Sequence, residues 1–237
     1  MFRRLRLNAA LLVTLLVLAM AVPAMAADGT FTIVHVNDVH GHIEPFTRDN
    51  AEVGALAKVA VYVEGLRKEN SNILLLSAGD MVHGTNVVNL FGGLPMVEIM
   101  NHMGFDAMAL GNHEFNYGQE QLLSLAKAAK FPFLSANVVR DDGAVFIGDY
   151  NIFDVGGVKV GVFGLSPTDT PILTHPKDVV GLQFLCPGVV AAKMVEVLEG
   201  QVDIIVCLSH LGYEDDKVIA AEVPGIDVIV GGHSHTT

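Results

Sequence analysis

Five short apolar runs in this sequence each end in His, Asp or Asn residues set beside glycine. The runs are 31–37, 73–76, 107–110, 203–208 and 226–230, and their β-branched and leucine content reads as strands. The polar groups that follow are Asp38 and His40, Asp80, Asn112 and His113, His210, and His233 and His235. Between the runs lie segments of helical spacing at 54–70, 94–103, 119–130 and 189–198. Strands alternating with helices predict an α/β chain, and open α/β sheets place their chemistry at the C-terminal edges of strands. One such polar cluster is explained by a helix cap or an exposed loop; five in a row are not.

The segments 151–155 and 158–164, separated by Gly156-Gly157, read as a hairpin, so a mixed sheet is expected. Residues 165–185, with Pro167, Pro171 and Pro176, read as an irregular surface loop that includes His175. Residues two apart on an extended segment face one side, so Asp38 and His40 aim at one point, as do His233 and His235. His35 has the opposite parity to Asp38 and reads as a packed strand histidine. His42 reads as a loop residue near substrate, Gly111 as the site of a sharp turn, and spacing assigns no role to His83 or Asn86.

The candidate donors Asp38, His40, Asp80, Asn112, His210, His233 and His235 comprise two carboxylates, one amide and four imidazoles. That set exceeds one tetrahedral zinc and suits two adjacent divalent ions sharing a carboxylate, with Zn, Mn, Co and Fe all compatible. The chain carries a formal net charge of −12. Such a surface repels nucleic-acid polymers and anionic membranes. Two divalent ions against two Asp side chains leave a local positive charge, which supplies an attractor for a small phosphorylated substrate. Paired ions roughly 3.5–4 Å apart activate water and clamp a phosphoryl group. His113, beside Asn112, is placed as an acid or as a transition-state donor.

Arg3, Arg4 and Arg6 precede the apolar run 9–22 and the small-residue segment Pro23-Ala24-Met25-Ala26. That order predicts a signal peptide over residues 1–26, an exported chain (periplasmic or extracellular), a catalytic domain over 27–237 and no stable membrane anchor after cleavage. Cleavage would remove three Arg and no acid, taking the net charge from −12 to −15. Cys207, inside an apolar run, reads as a buried free thiol, with pairing to Cys186 left open.

Asp-x-His, Gly-Asp, Gly-Asn-His-Glu, a later His and Gly-His-x-His, in this order, resemble the calcineurin-like metallophosphoesterases. Residues 34–41, 110–118, 174–176 and 231–236 are similar to the exported 5′-nucleotidase branch, and the resemblance spans about residues 30–237. It implies a four-layer α/β/β/α sandwich with mixed sheets, and a substrate that is a nucleoside monophosphate. It implies that Asp38, His40 and His235 bind one metal, that Asp80 bridges, and that Asn112, His210 and His233 complete the second. His113 matches the histidine that stabilises the transferring phosphoryl group or protonates the leaving oxygen.

Many 5′-nucleotidases carry Asp three positions beyond that histidine. Asn116 stands there in this chain and offers an acceptor without a charge. Asparagine at this position also resembles the related 2′,3′-cyclic-nucleotide phosphodiesterases. The family nucleotidases continue into a C-terminal domain that holds the base, whereas this sequence stops two residues after His235, so a fragment is expected. A cyclic-nucleotide phosphodiesterase, a general phosphatase and a non-catalytic metal- or nucleotide-binding fragment stay open as alternatives.

Overall fold

A computed structural model describes residues 29–236 apart from 49 and 54. The signal segment read over residues 1–26 lies outside the described residues. Among those described, no helix is long and apolar enough to cross a membrane.

The first half of the chain builds one sheet. Strand β1 (Thr32–Val36) is followed by a two-stranded excursion, β2 (Phe46–Arg48) and β3 (Ala51–Val53), and then by helix α1 (Leu56–Glu69). Next come β4 (Ile73–Ser77), the one-turn α2 (Asn86–Asn89), α3 (Leu94–Met103), β5 (Ala107–Ala109), α4 (Gly118–Ala128) and β6 (Phe133–Leu134). The four strands pair in the order β1-β4-β5-β6, and every pairing is parallel.

Strand β7 (Val138–Arg140) leaves that sheet, and the hairpin β8 (Tyr150–Val155) and β9 (Val158–Leu165) opens the second one. Its turn is Gly156-Gly157, with φ of 65° and 88°, a left-handed pair that glycine adopts at little cost. Helix α5 (Thr170–Leu173), strand β10 (Leu182–Phe184), helix α6 (Pro187–Leu198), strand β11 (Ile204–Ser209), helix α7 (Tyr213–Glu222) and strand β12 (Val228–Gly231) complete the chain. The second sheet has the order β12-β11-β9-β8; only the β8–β9 pair is antiparallel.

Alternation along the strands sorts the core into three layers. Leu75 and Met108 point to α1, α3 and α4, where they meet Val63, Met96, Met100 and Leu122. Leu74, Leu76, Ala107 and Ala109 point the other way, onto Val160, Val162, Val206 and Leu208 of the second sheet. Phe163, Ile205 and Cys207 face Val190, Met194 and Ile219 of α6 and α7. The stack is therefore helix, sheet, sheet, helix, the α/β/β/α sandwich expected, with one parallel and one mixed sheet. Burying such side chains contributes about 1.5–3 kcal/mol each. Cys207 is a buried free thiol and Cys186 an exposed one, so the two do not pair.

Several local readings need correction. The segment 131–137, which reads as a strand in the sequence, supplies only the two residues of β6, because β7 turns away to pair antiparallel with β10. Strand β10 lies within the segment read as irregular, which also holds α5 and a 3₁₀ turn at Pro176–Val179. Pieces of three or four residues are too short to show a period. Helix α7 has no counterpart in the sequence reading: Ile219 is its only buried residue, so it carries no apolar stripe. Its first turn holds Glu214, Asp215 and Asp216, which the helix dipole favours.

Candidate metal centre

The polar strand ends of both sheets converge at one edge of the sandwich. Three groups of side chains have ligand atoms all within 4.8 Å of one another: Asp38, His40 and His235; His40, Asp80 and His113; Asp80, His210 and His233. Six described non-glycine residues have positive φ, and five of them are Asp38 (52°), His40 (48°), Asp80 (55°), His233 (74°) and His235 (51°). The parity argument from an extended chain thus fails here, although the side chains do meet. Each chain end turns left-handed after its strand, and it is this turn that aims the donors. Such residues cost on the order of 1–3 kcal/mol each and persist where the surroundings over-determine them, typically at functional sites.

Backbone pairing fixes these loops. Beyond the β1–β4 ladder, Asp38 donates its N–H to Gly79 O at 3.0 Å and His40 to Asp80 O at 2.9 Å. Asp38 accepts the Asn37 amide at 2.6 Å and the His233 N–H at 2.9 Å, both on Oδ2. Its Oδ1 faces His235 Nε2 at 3.5 Å and His40 Nε2 at 3.9 Å. Asp80, 2% exposed, accepts the His113 N–H on Oδ1 at 2.9 Å. Its Oδ2 lies 4.0 Å from His40 Nε2 and 3.1 Å from His210 Nε2, so a single oxygen belongs to both clusters.

His210 is fully buried and donates Nδ1–H to the Ala78 carbonyl, which leaves a lone pair on Nε2. That Nε2 and Asn112 Oδ1 are, among the described residues, the buried side-chain polar atoms without a hydrogen-bond partner. Two orphaned acceptors beside two carboxylates are what a cation site requires. Burial opposes ionisation of Asp80, but His210 and His113 outweigh it and hold the carboxyl below its usual range. Burial would lower His210, yet Asp80 and then the Ala78 carbonyl push it up to about 9, so a cation bound at Nε2 would take the place of a proton that Asp80 otherwise favours there. Burial is also the main cause that lowers His40 and His233, favouring the neutral imidazole a metal needs.

Gly111 does not act as a turn residue. A methyl group on its Cα would sit 2.2 Å from Asp80 Oδ1 and 2.7 Å from His210 Nε2, so its place is dictated by space. Glu114, whose role the sequence leaves open, is fully buried and binds four backbone N–H groups. They belong to Asp80, Met81 and Gly111 at 2.8 Å and Val82 at 3.3 Å. One carboxylate thereby joins the loops that present Asp80 and Asn112. Burial, then the nearby Asp80 charge, push Glu114 up to about 7.

His83 belongs to the site although spacing assigns it no role. Its ring is stacked on His113 at 5.3 Å between centroids, and its Nδ1 accepts from the Asn116 amide at 3.2 Å. Asn116 also donates to His113 Nδ1 at 2.9 Å and accepts from the Thr174 hydroxyl at 2.9 Å. His42 instead stacks on Phe46 at 4.1 Å and joins none of the three groups. His35 is exposed rather than packed, because β1 is an edge strand, and it lines a cavity of about 780 Å³ beside β12. His175 caps the 3₁₀ turn, as a loop residue would.

Comparison with known proteins agrees with this geometry. The chain is 40% identical over 227 residues to the 5′-nucleotidase of Rattus norvegicus, covering 89% of this chain and 39% of that protein. It superposes on the structure of a 5′-nucleotidase precursor from Thermus thermophilus with a TM-score of 0.80 and 38% identity, over 87% of this chain and 42% of that one. The NAD nucleotidase of Haemophilus influenzae superposes with a TM-score of 0.77 and 36% identity, over 86% of this chain and 38% of that one. The chain thus spans well under half the length of these relatives. Residues 31–237 match the family described as calcineurin-like phosphoesterase, and the chain belongs to that family.

Proposed function

We propose that this chain is the catalytic part of an exported, dinuclear-metal phosphoester hydrolase that releases phosphate from nucleoside 5′-monophosphates. Asp38, His40 and His235 would hold one divalent ion and Asn112, His210 and His233 the other, with Asp80 available to both. The observation that carries this reading is Asp80 Oδ2, placed against His40 on one side and His210 on the other. When bound, the two ions supply concentrated positive charge for phosphoryl oxygens and acidify a water.

The chain's own residues do the rest. Asp38 and Asp80 neutralise part of the ionic charge and leave a net attraction for a phosphate dianion within a chain of net charge −12. Glu114 keeps the two donor loops in register, and Ala78 fixes the His210 tautomer. His113 faces the centre from beside Asp80 and Asn112 and stabilises charge on the transferring group. The nucleotide reading is supported by the names of the rat and Thermus thermophilus relatives, and export by the order of residues 1–26.

The test is phosphate release from AMP, 2′,3′-cyclic AMP (with added phosphatase) and an aryl phosphate, with Mn²⁺ or Zn²⁺. Preference for AMP is expected. Equal rates on all monoesters would replace the nucleotidase reading with a general phosphatase, preference for the cyclic substrate would replace it with a phosphodiesterase, and no turnover by folded, metal-loaded protein would overturn autonomous catalysis.

A further inference from the structure

We infer that Ser166 is a positioning residue for the ion assigned to Asn112, His210 and His233: from the end of a strand that supplies no donor, it fixes where Asn112 stands relative to His210. The inference rests on the two-ion reading proposed above and adds a residue to it. Five strand ends carry the candidate donors, whereas β9, in the interior of the second sheet, ends in Leu165-Ser166-Pro167 and carries none. Its end nevertheless grips the backbone of both chain segments whose donor atoms lack a partner, Asn112 Oδ1 and His210 Nε2. The Leu165 carbonyl accepts the His210 N–H at 2.9 Å. The Ser166 hydroxyl donates at 2.7 Å to the carbonyl of Leu110, which Gly111 alone separates from Asn112.

The partners settle the direction of each bond. A hydroxyl carries one proton and a carbonyl can only accept, so the Ser166 proton is committed to Leu110. Ser135 Oγ, 2.8 Å away, then donates to Ser166 Oγ. Asn137 grips the Ser166 backbone as a neighbouring strand would. Its Oδ1 accepts the Ser166 N–H and its Nδ2 donates to the Ser166 carbonyl, both at 2.8 Å. The second amide proton goes to the Leu185 carbonyl at 3.2 Å. Ser135, Asn137 and Ser166 are all fully buried, where such groups are costly to leave unpaired. Ser166 is thus held by N–H, carbonyl and hydroxyl oxygen, and its one proton is given to the loop that presents Asn112.

That loop has little slack. The Leu110 N–H donates to Leu134 O at 3.1 Å, and the Gly111 N–H to Glu114 Oε2 at 2.8 Å. Gly111 is packed against Asp80 Oδ1 and His210 Nε2 too closely for a Cβ, so a shift of the Leu110 carbonyl is passed on to Asn112 rather than absorbed. An ion held by Asn112 Oδ1 and His210 Nε2 together needs a set separation between them, and the end of β9 joins their chain segments across the two sheets. Asp38, His40 and His235 lie on loops with which Ser166 shares no hydrogen bond among the described residues.

Mn²⁺ binding by Ser166→Ala, Ser135→Ala and Ser166→Cys tests this. It is read by titration and by electron paramagnetic resonance, which distinguishes a spin-coupled ion pair from a single ion. Both alanine variants remove one buried hydroxyl, but only Ser166→Ala removes the donor to Leu110. Ser166→Ala is expected to weaken one of the two ions by about tenfold or more, the usual cost of losing support behind a ligand, and to leave the other ion's affinity unchanged. At intermediate Mn²⁺ the coupled signal should then give way to that of a single ion. Ser135→Ala should bind both ions like the parent, and Ser166→Cys, which keeps a weaker donor, should fall between. A parent chain that binds fewer than two ions overturns the two-ion reading and this assignment with it. With two ions on the parent, the assignment alone is overturned if Ser166→Ala keeps both affinities, weakens both equally, or is matched by Ser135→Ala. Should Ser166→Ala not fold, Ser166→Cys carries the test, and parent-like affinity for both of its ions overturns the assignment.

Discussion

The carboxylate of Asp38 accepts the backbone N–H of His233 at 2.9 Å across 195 positions of sequence. That contact ties the loop after the first strand of one sheet to the loop after the last strand of the other. Asp38 therefore both offers Oδ1 to the candidate metal and holds the second loop in place with Oδ2. Asp38→Ala is expected to lower bound metal from two ions to one and to reduce kcat more than about 100-fold, beyond the loss seen when only a partner of a ligand is removed. Metal content by mass spectrometry and phosphate release check this together.

His113→Ala removes a donor but no ligand. Metal content is expected to stay at two ions while kcat falls by roughly 10²–10³, the cost of losing one charge-stabilising donor. Loss of metal in this variant would make His113 a ligand instead.

Gly111→Ala is expected to displace Asp80 and His210, because the added carbon would lie 2.2 Å and 2.7 Å from their side-chain atoms. Metal affinity should fall by at least about tenfold, with a stability loss of about 1–3 kcal/mol from overpacking. Gly65→Ala is the control: Gly65 lies in α1 with no atom within 4 Å of the new carbon, so stability should rise by about 0.5–1 kcal/mol. Metal titration and urea midpoints read both variants.

Glu114→Ala would leave four buried backbone N–H groups without their acceptor. At about 1–3 kcal/mol for each unsatisfied group, the loss is a large share of the roughly 5–15 kcal/mol that stabilises a typical domain. The variant is expected to unfold at a much lower denaturant concentration, with Glu114→Gln falling between it and the parent chain.

Asp106 gives a pH dependence away from the metal centre. Burial raises its carboxyl above the ordinary value of 3.8, outweighing the Leu75 N–H it binds at 2.7 Å and the nearby Arg67. The folded state thus binds the proton more tightly than the unfolded one, so this contribution is full below 3.8 and is lost as pH rises through the folded value. Asp106→Asn keeps an acceptor and removes the buried charge. Its Tm should exceed the parent's at pH about 7, and the gain should disappear below pH about 4. A gain that grows in acid would reverse the sign.

What the sequence determined by itself is local. Apolar runs located most of the strands of both sheets, the Gly-Gly pair marked the hairpin, and the order of Asp, His and Asn at strand ends named the candidate donors, because periodicity and donor chemistry are written in neighbouring residues. The tertiary structure decided how those donors combine. His40 meets His235 with ring nitrogens 3.1 Å apart, and no local pattern links positions separated by 195 residues. Parity of an extended chain was the wrong reason for pairing Asp38 with His40, since both lie in left-handed backbone that only the packed loops enforce. Glu114 and His83 act through hydrogen bonds between the loops after β4 and β5, and Thr174 reaches Asn116 from beyond β9 of the other sheet, so their roles exist only once strands tens of residues apart are paired and stacked.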